Sequence, residues 1–330
     1  RRCANGSTPA NGSAWLRNRA MRILVTGFSG QVATALRLAA RPGLDIVALG
    51  RPALDLTDPA GVESAIAALR PDAIISAAAY TAVDAAETDA PAAFAVNAAG
   101  PGHVGRAAAA IGAPVVHIST DYVFSGDART PYGESDKPAP LGVYGATKLE
   151  GERRVLAAQP RGAVLRTSWV YSPYGANFVR TMIALAERQD EVRVVADQHG
   201  APTSAEDIAE GCLAVVRNLF DRPGDRALTG VFHMAASGSA SWADVAEAVF
   251  EGCARHGRFA PRVQPIATAD YPRPARRPRN SRLDCSRLAA VHGVSLPPWR
   301  ASLDRMLDAM LAPASPGAPR PVGTVTEASA

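Results

Sequence analysis

The segment Val143-Tyr144-Gly145-Ala146-Thr147-Lys148 follows a loop rich in proline and glycine, and it sets a phenol and an ammonium four residues apart. On a helix, positions i and i+4 lie one turn apart on the same face. A phenol with its ordinary pKa near ~10 is a poor acid or base at neutral pH, but a nearby cation stabilises the phenolate and lowers that value. Taken alone, the pair is either a tuned proton donor or an ordinary solvated helix face. Thr120 stands 24 residues before Tyr144, in the run Ser119-Thr120-Asp121-Tyr122-Val123-Phe124. Val115-Val116-His117-Ile118 precedes that run as a buried strand. Its hydroxyls therefore emerge at the carboxyl end of a strand, the edge at which open α/β sheets bind ligands.

Such side chains need a frame. Short apolar runs read as strands at 22–25, 45–49, 73–76, 115–118 and 163–166, with helical stretches at 31–40, 59–69 and within 91–111. Strands alternating with helices specify an α/β fold, a Rossmann-type doubly wound parallel sheet. Beyond Tyr171 the rhythm changes, with helices at 178–189, 205–219, 242–257 and about 299–311 and strands around 192–195 and 231–234. This predicts a smaller C-terminal α/β lobe stacked against the sheet.

The first strand ends in Gly27-Phe28-Ser29-Gly30-Gln31-Val32-Ala33. Glycine at 27 permits a tight turn, glycine at 30 lets backbone approach a pyrophosphate, and the following helix offers free N–H groups and a positive dipole end. Ala33 keeps the third position small. After the second strand, where an acidic residue often holds a ribose 2′-OH, this chain has Gly50-Arg51. A cation there favours a 2′-phosphate and so NADPH over NADH; the other reading is a solvated loop arginine. Asp55 and Leu56 in the next turn border the expected adenine position. The expected division is a nucleotide-binding domain over 21–171, with later segments free to return to it, and a substrate-binding lobe over 172–311. Residues 1–20 are polar, without the apolar centre of a secretion signal; they and residues 312–330, rich in Pro, Ala, Gly and Ser, are expected to be disordered.

Composition bounds the function. The 330 residues are 47% hydrophobic and 20% charged with net charge +4, a globular profile that by itself calls for neither nucleic acid nor membrane. Cys3, Cys212, Cys253 and Cys285 show no CxxC spacing and the six histidines are dispersed, which points away from a disulfide framework or a zinc site and toward a reducing cytoplasm. No apolar run reaches the ~18 residues of a membrane span.

A strand-end threonine with Tyr-x-x-x-Lys, downstream of a glycine-rich turn, resembles the triad of the short-chain dehydrogenase/reductase superfamily. AAAYTAVDAAE at 77–87, STDYVF at 119–124, RTSWVY at 166–171, DQHGAPTS at 197–204 and YPRPARRPRNSRL at 271–283 are similar to segments of the dTDP-4-dehydrorhamnose reductases, in the same order from about Met21 to Leu311. STDYVF and the late RRPRNS are the most specific of these. The resemblance implies reduction of the 4-keto group of dTDP-4-dehydro-L-rhamnose to dTDP-L-rhamnose. Carried over by position, Tyr144 donates a proton to the C4 oxygen and, with Lys148, contacts the cofactor; Lys148 lowers the tyrosine pKa and holds the nicotinamide ribose, and Thr120 hydrogen-bonds the substrate oxygen. Gly27, Gly30, Gln31 and Val32 would meet the pyrophosphate, and Ala78, Ala79 and Tyr80 would line the cofactor at the third strand end. Thr120, Asp121 and Trp169 would contact the sugar or its nucleotide, with core packing as the other reading of Trp169. Asn97 either joins a proton relay or is a plain helix-surface residue. Of Arg273, Arg276, Arg277, Arg279 and Arg282, one or two would hold the diphosphate, since guanidinium matches its geometry, and the rest would lie at the surface. The cluster lacks interleaved aromatics, which argues against nucleic acid.

Some relatives bind Mg²⁺ at a homodimer contact through carboxylates, one of them in the first helix. Here residues 31–40 contain no Asp or Glu, which argues against both the metal and that mode of dimerisation. Dehydratases of the superfamily need Thr-Asp-Glu, and Tyr122 occupies the third place. Epimerases share the triad but lack STDYVF and RRPRNS. The remaining alternatives are another sugar-nucleotide 4-ketoreductase or epimerase and a non-catalytic NADP-binding subunit, like the regulatory subunit of methionine adenosyltransferase.

Overall fold

Branched apolar runs too short for helices, each closed by a small or polar residue, become the strands of a parallel sheet. The structure, a computed structural model, describes residues 20–312. Its first half runs β1 (Met21–Thr26), α1 (Gln31–Leu38), β2 (Leu44–Leu49), α2 (Pro59–Leu69), β3 (Ala73–Ser76), α3 (Val83–Ala86), α4 (Ala90–Phe94), α5 (Gly100–Ala110), β4 (Val115–Thr120), α6 (Val143–Ala158) and β5 (Gly162–Thr167). The second half runs β6 (Val170–Tyr171), α7 (Phe178–Ala186), β7 (Glu191–Val195), β8 (His199–Gly200), β9 (Thr203–Ser204), α8 (Ala205–Asp221), β10 (Gly230–His233), β11 (Ala240–Ser241), α9 (Trp242–Arg255), β12 (Arg262–Ile266), α10 (Ser286–His292) and α11 (Trp299–Leu311). The extension expected over 1–20 lies outside the described residues except for Ala20, as does the tail expected over 312–330 except for Ala312.

Six strands pair in the order β10-β5-β4-β3-β1-β2, every ladder parallel. The doubly wound Rossmann-type sheet is thus present, with a smaller α/β lobe beside it. Strands covered on both faces must be apolar nearly throughout, and β3, β4 and β5 are buried at every residue. The exceptions are Ser76, His117, Ser119, Thr120, Arg166 and Thr167. Register gathers them: Ser119 lies opposite Arg166 and Thr120 opposite Thr167, while Thr26 lies opposite Ser76. The chain leaves β1 toward β2 on one side and β3 on the other, so strand order reverses there, where such sheets open a ligand crevice.

One face of the sheet packs on Leu36 of α1, Ile208 and Val215 of α8 and Leu288 of α10; the other packs on Val62 and Ile66 of α2, Val104 of α5 and Val155 of α6. Three segments of the second half therefore join the sheet, α8 and α10 on its face and β10 at its edge. Burying Ile208, Leu213, Val215, Val216 and Leu219 of α8 contributes roughly 1.5–3 kcal/mol each, whereas doubling a connecting loop costs only about 0.6 kcal/mol. The separate lobe is built on Val179, Val245, Phe250, Leu303 and Leu307. No helix among the described residues is long and apolar enough to cross a membrane.

The helical stretch read within 91–111 is broken by a π-helical turn over Ala95–Ala99. Pro101 has no N–H to continue the α-helical ladder, and the wider turn carries Asn97 inward. Strand β12, the parallel partner of the anticipated β7, and helix α10 were not anticipated: β12 reads RVQPI, polar and interrupted by proline, with no apolar alternation to announce it.

Candidate active site

The glycine-rich turn closes β1 onto the end of β3. Gly27 adopts φ +95°, and a Cβ there would touch Ala78 at 3.4 Å. Gly30 caps α1 with no side-chain hydrogen bond, a Cβ added to it would meet nothing within 4 Å, and the first turn carries no acidic residue. An open cradle under an uncapped helix N-terminus fits the pyrophosphate of a dinucleotide. Gln31 and Val32 lie in that first turn, but the Gln31 side chain is engaged elsewhere. Its Oε1 accepts from Ser172 Oγ at 2.7 Å and Asn177 Nδ2 at 3.0 Å, tying the turn to the second lobe. Thr26 Oγ1 accepts from the N–H groups of Ala77 and Ala78 at 3.1 and 3.2 Å, fixing the strand end that leads through Ala79 to Tyr80.

Asn97 is not a surface residue. It is fully buried, its Oδ1 accepts from Tyr80 N at 2.8 Å, and its Nδ2 donates to Tyr80 O at 3.0 Å and Thr147 Oγ1 at 3.3 Å. It clamps the β3 end to α6. At the end of β2, Arg51 is exposed. Asp55 accepts from the backbone and hydroxyl of Thr57, which hold its carboxyl below the usual range. Leu56 is buried in the core, so only Asp55 of that pair stands at the surface of the turn.

Helix α6 sits close because glycines face its neighbours: a Cβ at Gly145 would collide with the carbonyl of Tyr122, and one at Gly151 with the carbonyl of Asn97. This brings Tyr144 to the end of β4. Its ring packs edge-on against Tyr122 at 5.8 Å. Burial pushes the phenol up to about 12, the Thr120 hydroxyl opposes that, and the charge of Asp121 adds to it. Lys148 is buried; its Nζ donates to Ile118 O at 2.6 Å and lies 3.5 Å from His117 Nε2. Burial brings the ammonium down to about 8, with Glu152 pulling the other way. The expected depression of the tyrosine by the lysine is therefore not what this arrangement produces, because the cation is seated on strand groups and the phenol is desolvated.

Thr120 Oγ1 donates to Asp121 Oδ1 at 3.0 Å. Asp121 is buried, its Oδ2 has no hydrogen-bond partner among the described residues, and burial raises its carboxyl to about 7 against the Ser281 and Thr120 hydroxyls. Trp169 holds φ +48°, an uncommon conformation for a bulky residue, and its indole stacks on Trp242 at 3.6 Å. One of its faces is thus core. The late arginines divide by partner. Arg277 grips Asp84 through two bonds of 3.0 and 2.9 Å, Arg273 joins the same carboxylate at 2.9 Å, and Arg282 bonds Asn280 and the Arg129 carbonyl. Arg276 and Arg279 are exposed, without an ion pair among the described residues. Asp84, the anchor of this segment, was missed; a single aspartate gives no sign of a partner 193 residues away. Among the described residues no group of three or more His, Cys, Asp or Glu side chains could hold a metal.

Residues 21–312 match the family described as the RmlD substrate binding domain. The chain is similar to a dTDP-4-dehydrorhamnose reductase of Sinorhizobium fredii, 48% identical over 291 residues that cover 88% of this chain and 98% of that one. Its fold is similar to the crystal structure of a dTDP-4-dehydrorhamnose reductase from Clostridium acetobutylicum, with a TM-score of 0.80, 37% identity and coverage of 88% and 99% of the two chains. It is similar also to the dTDP-4-dehydrorhamnose reductase of Bacillus anthracis in complex with NADP, with a TM-score of 0.80, 35% identity and coverage of 87% and 98%.

Proposed function

We infer the function from the premise that this chain belongs to the RmlD substrate binding domain family, among whose members are the dTDP-4-dehydrorhamnose reductases. It is an oxidoreductase that reduces the 4-keto group of dTDP-4-dehydro-L-rhamnose to give dTDP-L-rhamnose, with NADPH as reductant.

The roles of individual residues are our proposal. Gly27, Gly30 and the backbone of Gln31 and Val32 bind the pyrophosphate. Arg51 meets the 2′-phosphate, and Ala78, Ala79 and Tyr80 line the crevice, held in place by Asn97. The nicotinamide supplies the hydride when bound. Tyr144 donates the proton to the C4 oxygen. A phenol held near 12 keeps its proton at neutral pH and releases it only to a more basic group, which the developing alkoxide is. Lys148, one turn behind, stabilises the phenolate left after transfer and holds the nicotinamide ribose. Thr120 turns its hydroxyl from Asp121 to the substrate oxygen, while Asp121 and the open side of Trp169 contact the sugar or its nucleotide. With Arg273 and Arg277 occupied by Asp84, Arg276 and Arg279 are the cations proposed for the diphosphate. The lobe around α7, α9 and α11 is the proposed substrate-binding unit. A reducing, cytoplasmic setting is proposed as well, supported by Cys212, Cys253 and Cys285, all free thiols, with burial raising Cys212 to about 12.

The observation that carries the assignment is the meeting of Tyr144 with Thr120 and Asp121 at the carboxyl edge of the sheet, beside an uncapped α1. The test is to supply NADPH and the 4-keto sugar nucleotide and identify the product. Oxidation of NADPH with formation of dTDP-L-rhamnose is expected; NADPH binding without oxidation would redirect the assignment to another keto-sugar nucleotide.

A further inference from the structure

The face of α6 that carries Tyr144 and Lys148 continues one turn further to Glu152. Glu152 is buried and grips Arg166 of β5 through two bonds, Nε to Oε1 at 2.9 Å and Nη2 to Oε2 at 2.7 Å. Ser119, the residue before Thr120, donates to Glu152 Oε1 at 2.5 Å. Arg166 Nη1 lies 3.5 Å from His233 Nε2. A buried ion pair is a poor device for stability, since well-packed apolar residues of the same volume do as well or better. Its place directly behind Lys148 calls for another account.

The groups set against Lys148 are the Ile118 carbonyl and His117 from β4 and, one turn along its own helix, Glu152. His117 is fully buried and held neutral by burial and by Lys148 itself, with its Nδ1 3.1 Å from Ser76 Oγ. Burial raises the nearby Asp121 carboxyl of the β4 end to about 7. Glu152 is the carboxylate that Arg166 and Ser119 hold in place. We propose that Glu152 is a positioning residue: locked by Arg166 and Ser119, its carboxylate keeps the buried Lys148 ammonium protonated behind Tyr144. Without it, burial would discharge the cation that the proton transfer uses.

The catalytic consequence rests on the reductase reading; the charge state of Lys148 does not, and it can be read without substrate or cofactor. The chain has two lysines, Lys137 and Lys148, and Lys137 is exposed. Protein labelled with carbon-13 at lysine Cε gives two titrating signals, one of them an internal control. The expected midpoint of Lys148 is about 8 in the wild type. In Glu152→Gln it should fall by roughly one unit or more, with Lys137 unmoved. Because Glu152→Gln strands a buried guanidinium, Arg166→Met is titrated beside it; it keeps the carboxylate and removes the cation paired with it, so the Lys148 midpoint should rise. If Glu152→Gln does not fold, Arg166→Met decides. An unchanged Lys148 midpoint in the folded variants overturns the proposal. In the active enzyme, the basic limb of kcat/KM should move to lower pH in Glu152→Gln while the plateau below it is retained; a uniform loss at every pH would mark a merely structural residue and contradict the proposal. A wild type that oxidises no NADPH would sink the reductase reading and leave the titration standing.

Discussion

The ammonium of Lys148 is seated on the carbonyl oxygen of Ile118 at 2.6 Å, and the phenol of Tyr144 one turn away on the same helix is left to its own desolvation. A lysine four residues after a tyrosine suggests a direct pair. The fold instead seats the cation on the strand, and burial of the phenol sets its raised value.

Arg51 stands exposed after β2, the proposed place of the 2′-phosphate. Arg51→Ala should weaken NADPH by roughly 10- to 100-fold, the loss of one hydrogen bond to a charged group, and leave NADH nearly unchanged. Dissociation constants for the two cofactors check this. Equal losses would reduce Arg51 to a loop residue.

Asp121 is a buried carboxyl raised to about 7, above its unfolded value near ~3.9. The protonated form is therefore favoured by the fold. That contribution is fully present below about pH 4 and is lost as pH rises through about 7. Asp121→Asn should accordingly stabilise the protein at pH 8 by on the order of 2–4 kcal/mol and change it little at pH 4, while raising KM for the sugar nucleotide. Denaturant unfolding at both pH values reads the difference; a gain independent of pH would contradict the buried-charge account.

Asp84 is held down to about 2, chiefly by the Arg277 hydrogen bonds, with burial opposing. A depressed carboxyl contributes above its unfolded pKa, and the contribution is lost as pH falls from about 4 toward about 2. The Ala275 N–H donates to Asp84 Oδ1 at 3.1 Å, so its protection from hydrogen exchange should drop over that window in the wild type. In Asp84→Asn it should drop at neutral pH, with KM rising several-fold (~) and kcat retained. Unaltered protection of Ala275 in the variant would refute the anchor.

A Cβ at Gly151 would collide with the carbonyl of Asn97. Alanine is the better helix former by about 1 kcal/mol, but overpacking against backbone costs roughly 1–3 kcal/mol. Gly151→Ala should therefore lose stability in denaturant and, through Asn97 and Tyr80, bind cofactor less tightly. A stabilised variant would show that α6 has room to move.

The parallel sheet and the trio Thr120, Tyr144 and Lys148 were legible because apolar runs and i,i+4 spacing are local signals. What was not legible depends on contacts across the chain. Asn97 could be read as a surface residue until Pro101 and the π-helical turn carried it inward. The return of α8 to the sheet is a matter of which face finds cover, and β12 carries no periodic pattern. Glu152 was within reach of the same spacing argument as Lys148, but a charged helix residue is ordinarily solvated, and it is Arg166 on β5 and Ser119 on β4 that make it otherwise.

The central claim is that Tyr144 gives the proton and does little to hold the cofactor. Turnover and NADPH affinity of Tyr144→Phe, measured on one preparation beside the wild type, test it most directly. The account predicts an NADPH dissociation constant within about threefold of wild type and a loss of kcat of roughly 10²- to 10⁴-fold. Near-normal turnover in that variant would contradict it and move the proton donor to another group.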